Sequence, residues 1–81
     1  MRVWTAKRES EGTGISFPVG HRNNYPSYLE AMQACEDDYQ AELSFYEQDD
    51  GSFVHRGWLN FYVTPVDFIK NMGDEDWKNG N

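Results

Sequence analysis

Residues 41–64 read AELSFYEQDDGSFVHRGWLNFYVT, two apolar-rich runs either side of Asp50-Gly51. Asp-Gly between alternating apolar residues is a strong hairpin signal, because glycine tolerates the positive φ of a tight turn. A two-residue turn at Asp50-Gly51 sets Glu47 opposite Val54, Phe45 opposite Arg56, Leu43 opposite Trp58 and Tyr46 opposite His55. Large apolar side chains then fall on both faces. One face is expected to pack on a helix, and the other to be covered by something else or to meet a partner. The second arm, residues 53–63, is expected to be one long strand with Gly57 marking a bulge.

Upstream, residues 27–40 give the clearest helix. Ser27 precedes Glu30 by three positions, the capping-box spacing. Tyr28, Met32, Cys35 and Tyr39 follow at alternating four- and three-residue steps, with Leu29 and Ala31 beside them, as one apolar stripe. Residues 2–8 carry the β-formers Val3, Trp4 and Thr5. Ile15, Phe17 and Val19 alternate with Ser16 and Pro18, and Pro18, which cannot donate to a ladder, puts that strand at an edge or ends it there. The polar, glycine-containing loop ESEGTG at residues 9–14 joins the two as a hairpin.

Downstream, Thr64-Pro65-Val66-Asp67 has the form of a helix start: a threonine cap, proline at the first position and an early acid. Gly73 would end that helix. The expected fold class is α+β: a mostly antiparallel four-stranded sheet in the order β-β-α-β-β-α, with one long helix across it and a short C-terminal helix. Residues 1–73 are expected to form a single domain and residues 74–81 a polar, frayed tail.

With 81 residues, the chain is one domain's length and builds a thin core. No run reaches a membrane span, and the start lacks the apolar stretch of a secretory signal. One cysteine excludes an internal disulfide and fits a reducing, cytoplasmic location. The formal net charge of −7 is unevenly spread. Residues 1–28 hold Arg2, Lys7, Arg8 and Arg22 against Glu9 and Glu11, while residues 29–81 hold three bases against twelve acids. A field of that sign repels phosphate backbones and attracts basic surfaces. The expected partner is therefore a basic protein, with no direct nucleic acid and no membrane. Thirteen aromatic residues against ten of Ile, Leu and Val are too many for a thin core to hide, so some are expected at contact surfaces.

The chemistry-bearing residues do not assemble an enzyme in the sequence. Cys35 sits mid-helix beside Glu36, Asp37 and Asp38, which disfavour a thiolate, and reads as a core cysteine. His21 and His55 lack ligand neighbours at zinc spacing. Placing Gly51 at the sixth position of a calcium loop puts Tyr46 first and Gly57 twelfth, where oxygen ligands are required. Gly12-Thr13-Gly14 lacks the third glycine of a phosphate cradle, position 17 being Phe. No catalytic, cofactor-binding or metal residue is assigned, and no cofactor is expected.

The acidic cluster remains. Glu30, Glu36, Asp37, Asp38 and Glu42 line the helix and its exit, and Glu47, Asp49 and Asp50 crowd the hairpin tip. With Tyr39, Tyr46, Trp58 and Tyr62 as anchors, these form the candidate partner-binding set. The reading is a small acidic inhibitor or modulator, of the accessory type found in viruses and mobile elements, that binds a basic host or defence protein as a nucleic-acid mimic or otherwise. An ordinary solvated helix face with a charged turn accounts for the same acids. The alternative reading is a self-associating structural domain, a homodimer through the aromatic hairpin.

Overall fold

The computed structural model describes residues 2–10 and 12–67. Among these residues the fold is α+β: five antiparallel strands with one helix against one face. The strands are β1 (Arg2–Glu9), β2 (Ser16–Pro18), β3 (Tyr46–Glu47), β4 (Phe53–His55) and β5 (Phe61–Asp67), and the helix α1 is Tyr28–Tyr39. Across the sheet the order is β2-β1-β5-β4-β3. The long pair β1–β5 forms its centre, running from Arg2 opposite Asp67 to Arg8 opposite Phe61.

The N-terminal hairpin follows the sequence reading. β2 pairs with β1 through Lys7–Pro18, Arg8–Phe17 and Glu9–Ser16, and it is an edge strand, as Pro18 requires. Beyond β2 the chain keeps covering the rim of β1. Val19 N–H donates to Ala6 O at 3.0 Å, and Trp4 and Tyr25 exchange backbone hydrogen bonds of 2.9 and 2.7 Å. Gly20 allows the turn between them, at φ +84°.

Ser27 caps α1 as its spacing predicts. Its backbone is extended (φ −141°, ψ 157°) and its hydroxyl accepts from Glu30 N–H at 3.2 Å. The buried stripe is narrower and smaller than the sequence suggests: Ala31, Ala34 and Cys35 face the sheet, while Met32 and Tyr39 are half-buried. Small side chains let the helix axis approach the strands closely. Tyr28 is displaced to the rim, where it stacks on Phe53 (centroids 4.8 Å) and meets Trp4 edge-on (5.5 Å). Gln40 ends the helix in the left-handed region (φ 64°), its N–H bonded to Glu36 O.

Three expectations about the second half are corrected. First, Tyr46 pairs with Val54 and Glu47 with Phe53, one residue out of the predicted register. The loop is three residues, Asp49, Asp50 and Gly51, closed by Gln48 N–H to Ser52 O (2.7 Å) and Gly51 N–H to Gln48 O (3.0 Å). Gly51 takes φ +89°, the three-residue loop with a glycine bulge. Asp50 selects it, its Oδ1 accepting from both the N–H and the hydroxyl of Ser52.

Second, residues 53–63 are not one strand. They fold back at residues 56–60, so that Phe53 pairs with Val63 and His55 with Phe61. The sheet therefore has five strands and not four, and Gly57 lies in a turn, not a bulge.

Third, Thr64, Pro65, Val66 and Asp67 belong to β5 and do not begin a helix. Pro65 is tolerated there because it lies opposite Trp4, whose backbone N–H and C=O both point away to Tyr25. That pair needs no amide from position 65, and on its other side β4 has already ended at Phe53. The rest of the expected C-terminal helix and the 74–81 tail lie outside the described residues.

Residues directly opposite in the register share a face. Ala6, Val63 and Phe61 point at the helix and form the core with Val19, Tyr25, Ala31, Ala34 and Cys35. Val3, Thr5, Lys7, Glu9, Tyr62, Val54 and Tyr46 alternate onto the other face.

Candidate functional site

The register gives the sheet two distinct ends. At one, β1 begins, β5 closes and the 49–51 turn projects. Gly51 is placed there by its approach to the Pro65 ring, and the helix start by Tyr28 on Trp4 and Phe53. At the other, β1 finishes at Glu9, β5 starts at Phe61 and α1 exits. Tyr39 meets Phe61 edge-on there (5.8 Å), and Asp38 pairs with Arg8 at 3.0 Å.

The candidate acids divide between these ends. Glu36, Asp37, Asp38 and Glu42 gather at the helix exit, where Glu36, Asp37 and Glu42 line one open concavity with Gln33 and Gln40. Glu47, Asp49 and Asp50 belong to the opposite end, and Glu30 lies in the first turn of α1 on that side. The eight carboxylates thus do not form one strip.

Several also have structural duties. Glu36 Oε2 accepts from Leu43 N–H at 3.0 Å and pins the chain leaving the helix. Asp37 accepts from Gln33 Nε2 at 2.9 Å. Arg8–Asp38 is the sole ion pair within 4.0 Å among the described residues, with the Arg8 guanidinium also over the Phe17 ring (4.7 Å). Hydrogen bonds from Ser52 hold the Asp50 carboxyl below its ordinary value.

The aromatic anchors divide too. Trp58 is the most exposed, at 80%, and sits in the 56–60 turn at the helix-exit end. Tyr46 is 68% exposed but lies on the face away from α1. Tyr39 is half-buried against the core. The Tyr62 hydroxyl is taken by Glu9, to which it donates a hydrogen bond.

Glu9 is the residue the sequence reading missed. Its Oε1 also accepts from Asn60 Nδ2 at 3.4 Å, and Asn60 Oδ1 accepts from Gly57 N–H at 3.3 Å. The Tyr62 hydrogen bond, then that of Asn60, holds the Glu9 carboxyl below its ordinary value, with the Arg56 charge adding to the effect. The same contact pushes the Tyr62 phenol up. No local pattern announces this group, because Glu9 and Tyr62 are 53 residues apart.

The thiol and the histidines do not converge on a reaction. Cys35 is fully buried, and burial, reinforced by Asp38 and Glu36, pushes its thiol up to about 12. At neutral pH it is a protonated core atom, as its place on the helix stripe predicts. His55 sits with Nδ1 2.8 Å from Ser44 O, between the rings of Phe45 and Phe61, not opposite Tyr46. His21 is exposed on the rim of a cavity of about 320 Å³ shared with Gly20, Tyr25, Ala34, Asp37 and Asp38. Among the described residues no group of three or more His, Cys, Asp or Glu side chains is placed to hold a metal ion, and no helix is long and apolar enough to cross a membrane.

No protein-family model, curated protein or solved structure matches this chain.

Proposed function

We propose that this chain is a small, non-enzymatic, acidic binding module of the inhibitor or modulator kind, acting in the cytoplasm, whose helix-exit end meets a basic protein. One observation carries the reading: Glu36, Asp37 and Glu42 border a single concavity at the C-terminal end of α1, where the last turn holds no basic residue. A helix C-terminus is already the negative pole of its dipole, and acids there oppose folding by about 0.3–1 kcal/mol each. The carboxylates and the dipole therefore add into one negative field, suited to steering a cationic partner. Trp58, exposed at the same end, supplies the kind of anchor on which binding energy concentrates. A phosphate-mimicking mode would rest on the helix exit alone, because the 47–50 acids lie at the other end.

The test is capture of partners by the intact chain at low and high salt, beside the double variant Asp37→Lys, Glu42→Lys. Retention at low salt, release near 1 M salt (where the screening length falls to about 3 Å) and loss in the variant are expected. A captured set indifferent to both salt and charge reversal sinks the proposal. Self-association is the second reading, favoured by Tyr46 standing 68% exposed on the face away from α1. Sedimentation separates the two, since a monomer at high concentration removes self-association.

A further inference from the structure

At the helix-exit end, Glu9, Ser10, Gly12, Trp58, Leu59 and Asn60 line a notch of about 180 Å³, with Ser10 and Gly12 on one side and the 56–60 turn on the other. Two features make it more than a surface dent. The Glu9 carboxylate is fixed in direction: both protein donors, the Tyr62 hydroxyl and Asn60 Nδ2, bond the same oxygen, Oε1. Among the described residues Oε2 takes no hydrogen bond, and no cation lies within 4.0 Å of the carboxylate. Arg56 acts on Glu9 only from beyond that distance. Trp58, on the other wall, is 80% exposed. The exposed indole thus shares the notch with an oriented anion.

An anion and an aromatic face in one notch of this size suit a single long cationic side chain. Its charge would pair with the carboxylate, and its stem or guanidinium plane would lie on the indole. We propose that the Glu9–Trp58 notch receives an arginine or lysine side chain of the protein partner. This rests on the reading of a basic partner at the helix-exit end and adds a specific contact to it. By strand alternation Glu9 lies on the face away from α1, so the notch and the 36–42 acids flank the same end from opposite sides. A partner gripping that end engages both.

The experiment uses the full chain and a hexa-arginine peptide as probe, followed by 1H–15N spectra at low salt. The Trp58 indole N–H signal is expected to shift and saturate together with backbone signals of Glu9 and Asn60. Trp58→Ala and Glu9→Gln are each expected to weaken the peptide by roughly two- to fivefold, the range of an exposed cation–π or ion-pair contact. Trp58 is exposed enough for its replacement to leave the fold intact, and Gln at position 9 keeps an acceptor for Tyr62. A still Trp58 signal with moving Asp37 and Glu42 amides overturns this inference and leaves the acidic-end reading standing. If no signal moves, both fall. An equal response to the peptide with citrulline in place of arginine, or unchanged affinity in both variants, also overturns the notch.

Discussion

Gly20 offers a sharp test of how the chain between β2 and α1 is held. A Cβ added there would stand 2.1 Å from the Tyr25 hydroxyl and 3.0 Å from the Ala34 Cβ, on a backbone at φ +84°. Both neighbours belong to the core, so moving either disturbs its packing. Gly20→Ala therefore combines two costs. An L residue in the left-handed region costs about 1–2 kcal/mol, and forcing a packed ring aside costs about 1–3 kcal/mol. Together they remove roughly 2–5 kcal/mol from a domain whose whole stability is on the order of 4–12 kcal/mol at this length. The Tyr25 hydroxyl explains the clash and is itself weakly held, donating to Val19 O and accepting from Arg22 N–H at 3.4 Å each. Tyr25→Phe should cost only about 1 kcal/mol. In the double variant the nearest ring atom, the Tyr25 Cζ position, lies 3.4 Å from the new methyl, an ordinary contact. Urea denaturation followed by far-UV circular dichroism should then show the double variant about 1–2 kcal/mol more stable than the two single losses added together. Strict additivity would refute the hydroxyl clash, and a Gly20→Ala loss under about 1 kcal/mol would refute the strained turn as well.

Ser27→Ala removes the acceptor for Glu30 N–H and should lower stability by about 1 kcal/mol, read from the same urea curves. Cys35 predicts a pH dependence. Its thiol, ordinarily 9.0, is raised to about 12 in the fold, so the unfolded chain ionises first. The stabilisation is complete below pH 9 and is lost as pH rises toward 12. Cys35→Ala should flatten that part of the curve, and the native thiol should resist a thiol reagent that labels the urea-unfolded chain.

What the sequence made legible was local: a cap, a stripe, a β1–β2 hairpin with its edge proline. What it hid was decided by parity and by distant partners. Phe53 and His55 face the helix before the 56–60 turn, and Phe61 and Val63 face it afterwards. A five-residue turn that pairs His55 with Phe61 leaves the odd positions on one side, so the alternation runs through the reversal unbroken. A continuous strand and a hairpin give the same pattern there. The Asp-Asp-Gly turn has a similar ambiguity, since glycine serves a two- or a three-residue loop equally well. The Asp50–Ser52 contact decides it, and it moves every cross-strand partner by one. Thr64-Pro65 has a good local helix signature, but pairing with β1 overrides it by placing the proline where no amide is needed.

The candidate site follows the same logic. The acids of residues 36–42 were found because a helix and its exit keep sequence neighbours together. The hairpin-tip acids were grouped with them by charge alone, and the direction of the strands separates the two. β3 runs away from the helix exit, so its turn is carried to the far end of the sheet. Glu9 reached the helix-exit end by the reverse route: β1 pairs with β5 along its length, which brings residue 9 to Asn60 and Tyr62. Net charge by itself would not distinguish these ends. What distinguishes them is that one adds the negative pole of α1, an exposed indole and an oriented carboxylate to its acids. At the other, Asp50 is already engaged in closing its own turn. Reversing charge at Asp37 and Glu42 also relieves an unfavourable dipole contact, so the fold should hold or gain slightly while binding is lost. That opposition of signs is what separates a binding role for these carboxylates from a merely solvating one.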